Sequence, residues 1–242
     1  MMETGGLIRS LAGRRSARNF HSFVINEIGQ SIVGGQFPIG SVLANDGEMM
    51  ERYGVSRTVL REALKTLEAK GLVEARPKVG TRVSPKTRWN FFDPQVLAWH
   101  FHAPADPSLF DSIFRIRAAL EPPMVRLAAQ HRTAEHVRLL KYWCHQMEAA
   151  GDSVEQFGLA TMEVYAAIAD AAHDPLLRSI IGVVELTIAL ALTREHDLPL
   201  QEYQNQSARL VGQLILAIEK GDADEAGSLL DKCRVLDQER VH

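Results

Sequence analysis

Residues 46–83 read DGEMMERYGVSRTVLREALKTLEAKGLVEARPKVGTRV, and their order of elements decides the fold of the first third of the chain. The pattern predicts a short helix at 46–53, a Gly54-Val55 turn, and a basic helix at 56–70. Two short strands follow at 72–75 and 81–83, with Lys78 and Gly80 at the tip between them. This is the order of a winged helix-turn-helix, three helices plus a small β-hairpin. Such a unit lays one helix in a DNA major groove and a hairpin beside it.

On a helical wheel, Leu60, Ala63, Leu64 and Leu67 share one arc that faces a small core. Arg57, Arg61 and Lys65 step by four along a second stripe, with Thr58 at its edge. Ser56 holds the N-cap position, where a hydroxyl caps the helix or meets a phosphate. An arginine offers guanine two parallel donors, worth about 1–3 kcal/mol of discrimination. Arg57 and Arg61 are therefore the candidate base readers. Lys65, Arg76 and Lys78 are candidate phosphate contacts, which fix register without reading sequence. Gly80 supplies a Cβ-free wing turn.

Outward from this stretch, residues 1–18 lack sustained periodicity and are expected to be a mobile tail. Residues 19–33 predict a helix with an apolar stripe of Phe20, Val24, Ile28 and Ile32, so the winged domain is expected at 19–83. Residues 84–92, with Pro85, predict a linker. From 93 to 242 no alternating strand pattern occurs. Helical spacing recurs instead at 94–101, 107–130, 134–150, 154–172, 175–194, 200–220 and 223–239. The expectation is a mainly α chain whose second part is an antiparallel bundle of six or seven helices.

Composition narrows the classes. Apolar residues make up 46% and charged residues 24%, enough for packed cores in an ordinary globular chain. No membrane span and no secretory signal are expected. Cys144 and Cys233 are too few for a disulfide framework, which points to a reducing cytoplasm. The net charge of -3 hides an asymmetry: residues 1–88 carry 14 Lys and Arg against 8 Asp and Glu, whereas the remainder carries 13 against 22. The basic part suits a polyanion. No nucleophile–base motif, phosphate-cradling glycine loop or metalloenzyme pattern occurs, so an enzyme is not expected.

Gly54-Val55-Ser56-Arg57-Thr58, Leu60-Arg61-Glu62-Ala63-Leu64, Leu67-Glu68, Lys70-Gly71-Leu72-Val73 and Gly80-Thr81 together resemble the GntR family of bacterial transcription regulators. The resemblance implies that Arg57 and Arg61 read bases while the wing grips the adjacent groove. The chain departs from the pattern at Gly47, where the family carries an arginine, so that contact is either missing or supplied from elsewhere, by Arg52 or the basic tail. The remainder resembles the FadR-type branch with its all-helical FCD effector domain, through Arg117-Ala118-Ala119-Leu120-Glu121-Pro122, Ile168-Ala169-Asp170-Ala171 with Asp174-Pro175-Leu176, and Ala217-Ile218-Glu219-Lys220-Gly221-Asp222. Trp89-Asn90, Asp93 and Val96-Leu97-Ala98-Trp99 are similar to regulators of sugar-acid catabolism.

The resemblance implies a homodimer on a palindromic double-stranded operator, responsive to a small carboxylate metabolite. Arg117 is the residue it assigns to the ligand carboxylate; the competing reading is an internal pair with Glu121, four residues on. Thr161, Tyr165, Arg209 and Gln213 are the further candidate effector contacts. Many FCD domains bind a divalent ion through one Asp and three His. Those positions fall on Thr161, Tyr165, Val211 and Cys233, so no metal is expected. His131, His136 and His145 are expected on exposed helix faces and His173 at a helix end. The alternative is a regulator that has lost its small effector and answers to a protein partner.

Overall fold

The computed structural model describes residues 5–11 and 20–242. The chain divides into two compact units. One holds residues 15–105; the other holds 106–242 together with 1–14.

In the first unit, α2 (Phe20–Val33) buries Val24, Ile28 and Ile32 along the expected stripe, while Phe20 at its start is exposed. Helix α3 (Asp46–Tyr53) begins where the Asn45 side chain accepts from Glu48 N at 3.0 Å. It ends at Gly54, whose φ of 63° is the left-handed cap that glycine favours. Helix α4 (Arg57–Ala69) is capped by Ser56 and buries Leu60, Ala63 and Leu67. Strands β1 (Val73–Arg76) and β2 (Gly80–Val83) pair antiparallel, with Val73 opposite Val83 and Arg76 opposite Gly80.

The segment expected to be a linker is packed instead. A 3-10 turn at Lys86–Arg88 leads to Trp89, which is buried and donates its indole N–H to Ser84 O at 3.1 Å. Gly71 makes this possible. Its φ is 79°, and a Cβ there would stand 1.9 Å from Arg88 O. Helix α5 (Pro94–His102) then packs on α2. Its Trp99 ring lies across Gly29 and donates to Asn26 Oδ1 at 3.0 Å, and Gln95 donates to the same oxygen at 2.9 Å. Lys70 and Asp93 add an ion pair at 2.6 Å with both side chains largely covered. The expected boundary at residue 93 therefore differs from the packing: α5 joins the winged unit, and the units divide after Ala105.

The second unit contains α6 (Pro107–His131), α7 (Ala134–Ala149), α8 (Val154–Ala171), α9 (Pro175–Arg178), α10 (Ile181–Thr193), α11 (Leu200–Lys220) and α12 (Ala223–Val241). Helix α6 packs on α12 and α8, α8 also packs on α7 and α10, and α11 packs on α12 and α7. Asp106, Asp174 and Asp222 each accept backbone N–H groups at a helix start, and Pro107 and Pro175 fill first-turn positions. Pro122 and Pro123 lie inside α6 without ending it. The carbonyls that lose their donors belong to Ala118 and Ala119, both on the exposed side.

Two expectations change here. The helix expected at 175–194 is two helices separated at Ser179-Ile180. The segment Pro175–Thr193 is also apolar enough, at a mean hydropathy of 1.9, to cross a membrane by length and composition. Its packing supplies another reason for that apolarity: α10 is buried from Val183 to Leu192. The expected mobile tail also contains structure. Gly6–Leu11 forms α1, which packs on α8 and α10; the rest of the expected tail lies outside the described residues.

Candidate DNA interface and effector core

On α4 the residues predicted to face DNA are on the surface. Ser56, Arg57, Thr58, Arg61 and Lys65 are all exposed, opposite the buried Leu60, Ala63 and Leu67. Ser56 Oγ accepts from Val59 N at 3.4 Å, so its hydroxyl caps the helix. Arg61 Nε lies 3.6 Å from Asp46 Oδ2, and Lys65 Nζ lies 2.8 Å from Glu62 Oε1. Both pairs are solvent-exposed and therefore screened and weak. A phosphate or a guanine edge can displace them. At the wing, Pro77 and Lys78 take the two central turn positions, closed by Val79 N donating to Arg76 O at 3.1 Å. Lys78 has a φ of 62°, so the left-handed residue of this turn is a lysine; Gly80, with a φ of 106°, opens β2. Arg76 is exposed and paired with Glu74 at 2.8 Å. Arg52, expected to compensate for Gly47, stacks its guanidinium 5.4 Å from Phe37 and 5.5 Å from Tyr53 ring centres.

In the bundle, Arg117 is wholly buried and surrounded by partners. Its Nε donates to Glu121 Oε1. One terminal nitrogen donates to Thr187 Oγ1 at 2.6 Å and to Asp237 Oδ2 at 2.8 Å; the other donates to Tyr165 Oη at 3.2 Å. Tyr203 Oη donates to the other Asp237 oxygen at 2.8 Å. The internal pair with Glu121 is thus formed, and Asp237 is a second internal carboxylate on the same guanidinium. Sequence reading missed Asp237, Thr187 and Tyr203, because the contacts between Arg117 and its last-helix partner span 120 residues. A buried polar position on an apolar face was the available signal.

Burial opposes the Arg117 charge, but Glu121, Tyr165 and Asp237 outweigh it and hold the guanidinium well above the usual arginine range. Burial pushes the Glu121 carboxyl up despite Arg117, and its Oε2 has no hydrogen-bond partner. The two directions pull against each other. The unpaired oxygen decides for Glu121, while Arg117 stays a cation in either case. Burial likewise raises Tyr165, Tyr203 and Cys233.

The other candidate effector contacts divide. Thr161 is buried, but its hydroxyl donates to Phe157 O in its own helix at 2.8 Å. Tyr165 joins the Arg117 cluster. Arg209 and Gln213 do not: both are exposed on α11, whose buried face carries Tyr203, Ser207, Val211, Leu214 and Ile218. Two residues away from Val211 along the chain is about 200° around a helix, which turns those side chains outward. The donor set for the family's divalent ion does not fit. Thr161 is committed to a carbonyl, Val211 has no donor, and burial disfavours the Cys233 thiolate. His131 and His145 are exposed as expected and His136 is half-buried, while His173 lies 6.0 Å from His131 and 5.7 Å from His136, ring centre to ring centre. His136 Nδ1 accepts from Thr133 N and His131 Nδ1 faces Ala172 O, so local backbone already engages these rings.

Comparison with known proteins places both units. The family model described as bacterial regulatory proteins, gntR family, matches residues 20–83, and the FCD domain model matches residues 112–233. Over 139 residues the chain is 39% identical to the HTH-type transcriptional regulator YieP of Escherichia coli K12, covering 57% of this chain and 60% of that one. It is 29% identical over 157 residues to the galactonate operon transcriptional repressor of the same strain, covering 65% and 69%. Among solved structures, Lar, which controls expression of the Listeria monocytogenes agr system, matches with a TM-score of 0.68 at 15% identity, over 94% of this chain and 98% of that one. That likeness is one of fold.

Proposed function

Because the chain belongs to the gntR family of bacterial regulatory proteins and carries an FCD domain, we propose that it is a transcriptional repressor that binds a palindromic operator as a homodimer. The observation that carries the proposal is the exposed face of α4, with Arg57 and Arg61 at its amino end and Lys65 beyond. Arg57 and Arg61 read base edges; Lys65, Arg76 and Lys78 hold phosphates. The work is cytoplasmic, where the operator is. Footprinting on genomic fragments tests the roles. Arg57→Ala and Arg61→Ala should flatten operator preference while leaving weak, salt-sensitive binding. Wild-type preference in both variants would refute the assignment.

The FCD unit supports response to a small organic or sugar acid, with Arg117 as the seat of its carboxylate. A ligand carboxylate must then take the place that Asp237 Oδ2 holds, 2.8 Å from Arg117. The same observation favours a second reading, a core neutralised from within that answers to a protein partner. Asp237→Asn separates the two. In an acid sensor it should tighten binding in titration calorimetry against sugar acids and dicarboxylates, because a competing anion is gone. No heat from either wild type or variant favours the second reading.

A further inference from the structure

Arg88 lies beyond residues 20–83, the part of the chain that matches the gntR family model, and within the segment that reads as a linker in the sequence. The fold gives it a fixed place. Its carbonyl oxygen stands 1.9 Å from where a Cβ on Gly71 would be, and its N–H donates to Pro85 O at 3.0 Å. The next side chain, Trp89, is buried, and Asn90 N donates to Lys70 O at 3.0 Å. The Arg88 backbone is thus anchored on both sides, while its side chain is 56% exposed.

That side chain meets the hairpin. Val73 and Val83 face the core from β1 and β2. Glu74 and Arg82, paired in register, stand on the opposite face, and Arg76, two residues on from Glu74, shares it. Arg76 Nε donates to Glu74 Oε1 at 2.8 Å, and a terminal nitrogen of Arg88 donates to Glu74 Oε2. Arg82 Nε donates to Gly40 O at 2.6 Å. Glu74 is only 14% exposed, and Arg76 first, then Arg88, hold its carboxyl below the usual glutamate range. Three arginines therefore accompany one carboxylate, which leaves this face positive. The bonds to Glu74 use only part of the five N–H donors of each guanidinium.

We propose that Arg88 is a DNA-phosphate contact, and that Glu74 is the positioning residue that holds Arg76 and Arg88 side by side for the DNA backbone. The DNA surface of the winged unit then continues past the hairpin into the segment after β2. The inference rests on the reading of Arg76 as a phosphate-holding residue. Its physical basis is pre-organisation. A guanidinium ordered on a packed turn loses less freedom on binding than one carried by a loose linker. Two arginines fixed by one carboxylate keep a net positive charge, and each keeps donors for charge-assisted bonds to a phosphate oxygen.

Fluorescence anisotropy of the full chain on a labelled mixed-sequence duplex, titrated with salt, tests both roles. Arg88→Ala should weaken binding about tenfold at low salt and reduce the salt slope by about one. Arg88→Lys should restore the slope, which a variant that merely failed to fold or pack would not do. Glu74→Ala removes a charge that repels phosphate, yet it should weaken binding, because both guanidinium groups lose their anchor. Tighter binding by Glu74→Ala overturns the positioning role. If Arg76→Ala lowers the slope and Arg88→Ala does not, the contact assigned to Arg88 is overturned and the reading of Arg76 stands. If neither variant changes the slope, that reading fails and the inference fails with it.

Discussion

At Glu121, burial and the Arg117 charge act in opposite directions, and burial wins. The folded chain therefore holds a proton on Glu121 at pH values where the unfolded chain has released it. Between the ordinary glutamate value of 4.5 and the raised one, the native state binds more protons. Its stability falls as pH rises through that window. Glu121→Gln removes the titration. Chemical denaturation from pH 4 upward should show a shallower decline for the variant, and parallel pH profiles would contradict the assignment. Lys78 makes a second case at this scale. A lysine in the left-handed region costs about 1–2 kcal/mol that glycine does not incur. Lys78→Gly should leave the winged unit as stable as before or up to about 1 kcal/mol more stable. The same change should reduce the salt slope of DNA binding by about one. A melt and a salt titration on one duplex check both halves.

Helix α4 was legible because three signals coincide: the Ser56 cap, the Leu60-Ala63-Leu67 stripe, and basic residues stepping by four on the other side. Each is local, and local patterns survive without tertiary information. Elements whose limits depend on neighbours were less legible. No proline or glycine marks the break at Ser179-Ile180, so α9 and α10 read as one helix. On α11, Arg209 and Gln213 are candidate effector contacts by sequence, but Val211 and Leu214 fix the buried arc on the other side. Between α3 and α4 the pairing of Asp46 with Arg61 was also unread, because the two residues are 15 positions apart. It predicts that Asp46→Asn, by freeing Arg61 and removing a charge that repels phosphate, strengthens binding to a DNA duplex about two- to fivefold at low salt. Fluorescence anisotropy would measure it, and weaker binding would show that Asp46 orients Arg61 for contact.

Across the whole molecule, the basic excess of residues 1–88 falls on the part that carries the winged helix-turn-helix. The division between the two units was harder to place. Pro85 suggests a linker at 84–92, but Gly71 lets Arg88 and Trp89 close against the winged unit. The helix after them has Trp99 seated on Gly29, a contact 70 residues apart that no local pattern announces. The consequence is a calorimetric prediction. Two compact units of this kind unfold as separable transitions when the connection between them is slight. Trp99→Ala empties a fully enclosed site and breaks the bond to Asn26, which should cost about 3–5 kcal/mol. That cost should fall on the unit that contains α2 and α4, lowering its transition and leaving the transition of the bundle where it was. If the bundle transition moves instead, α5 belongs with the effector unit, and residue 93 rather than 106 is where that unit begins.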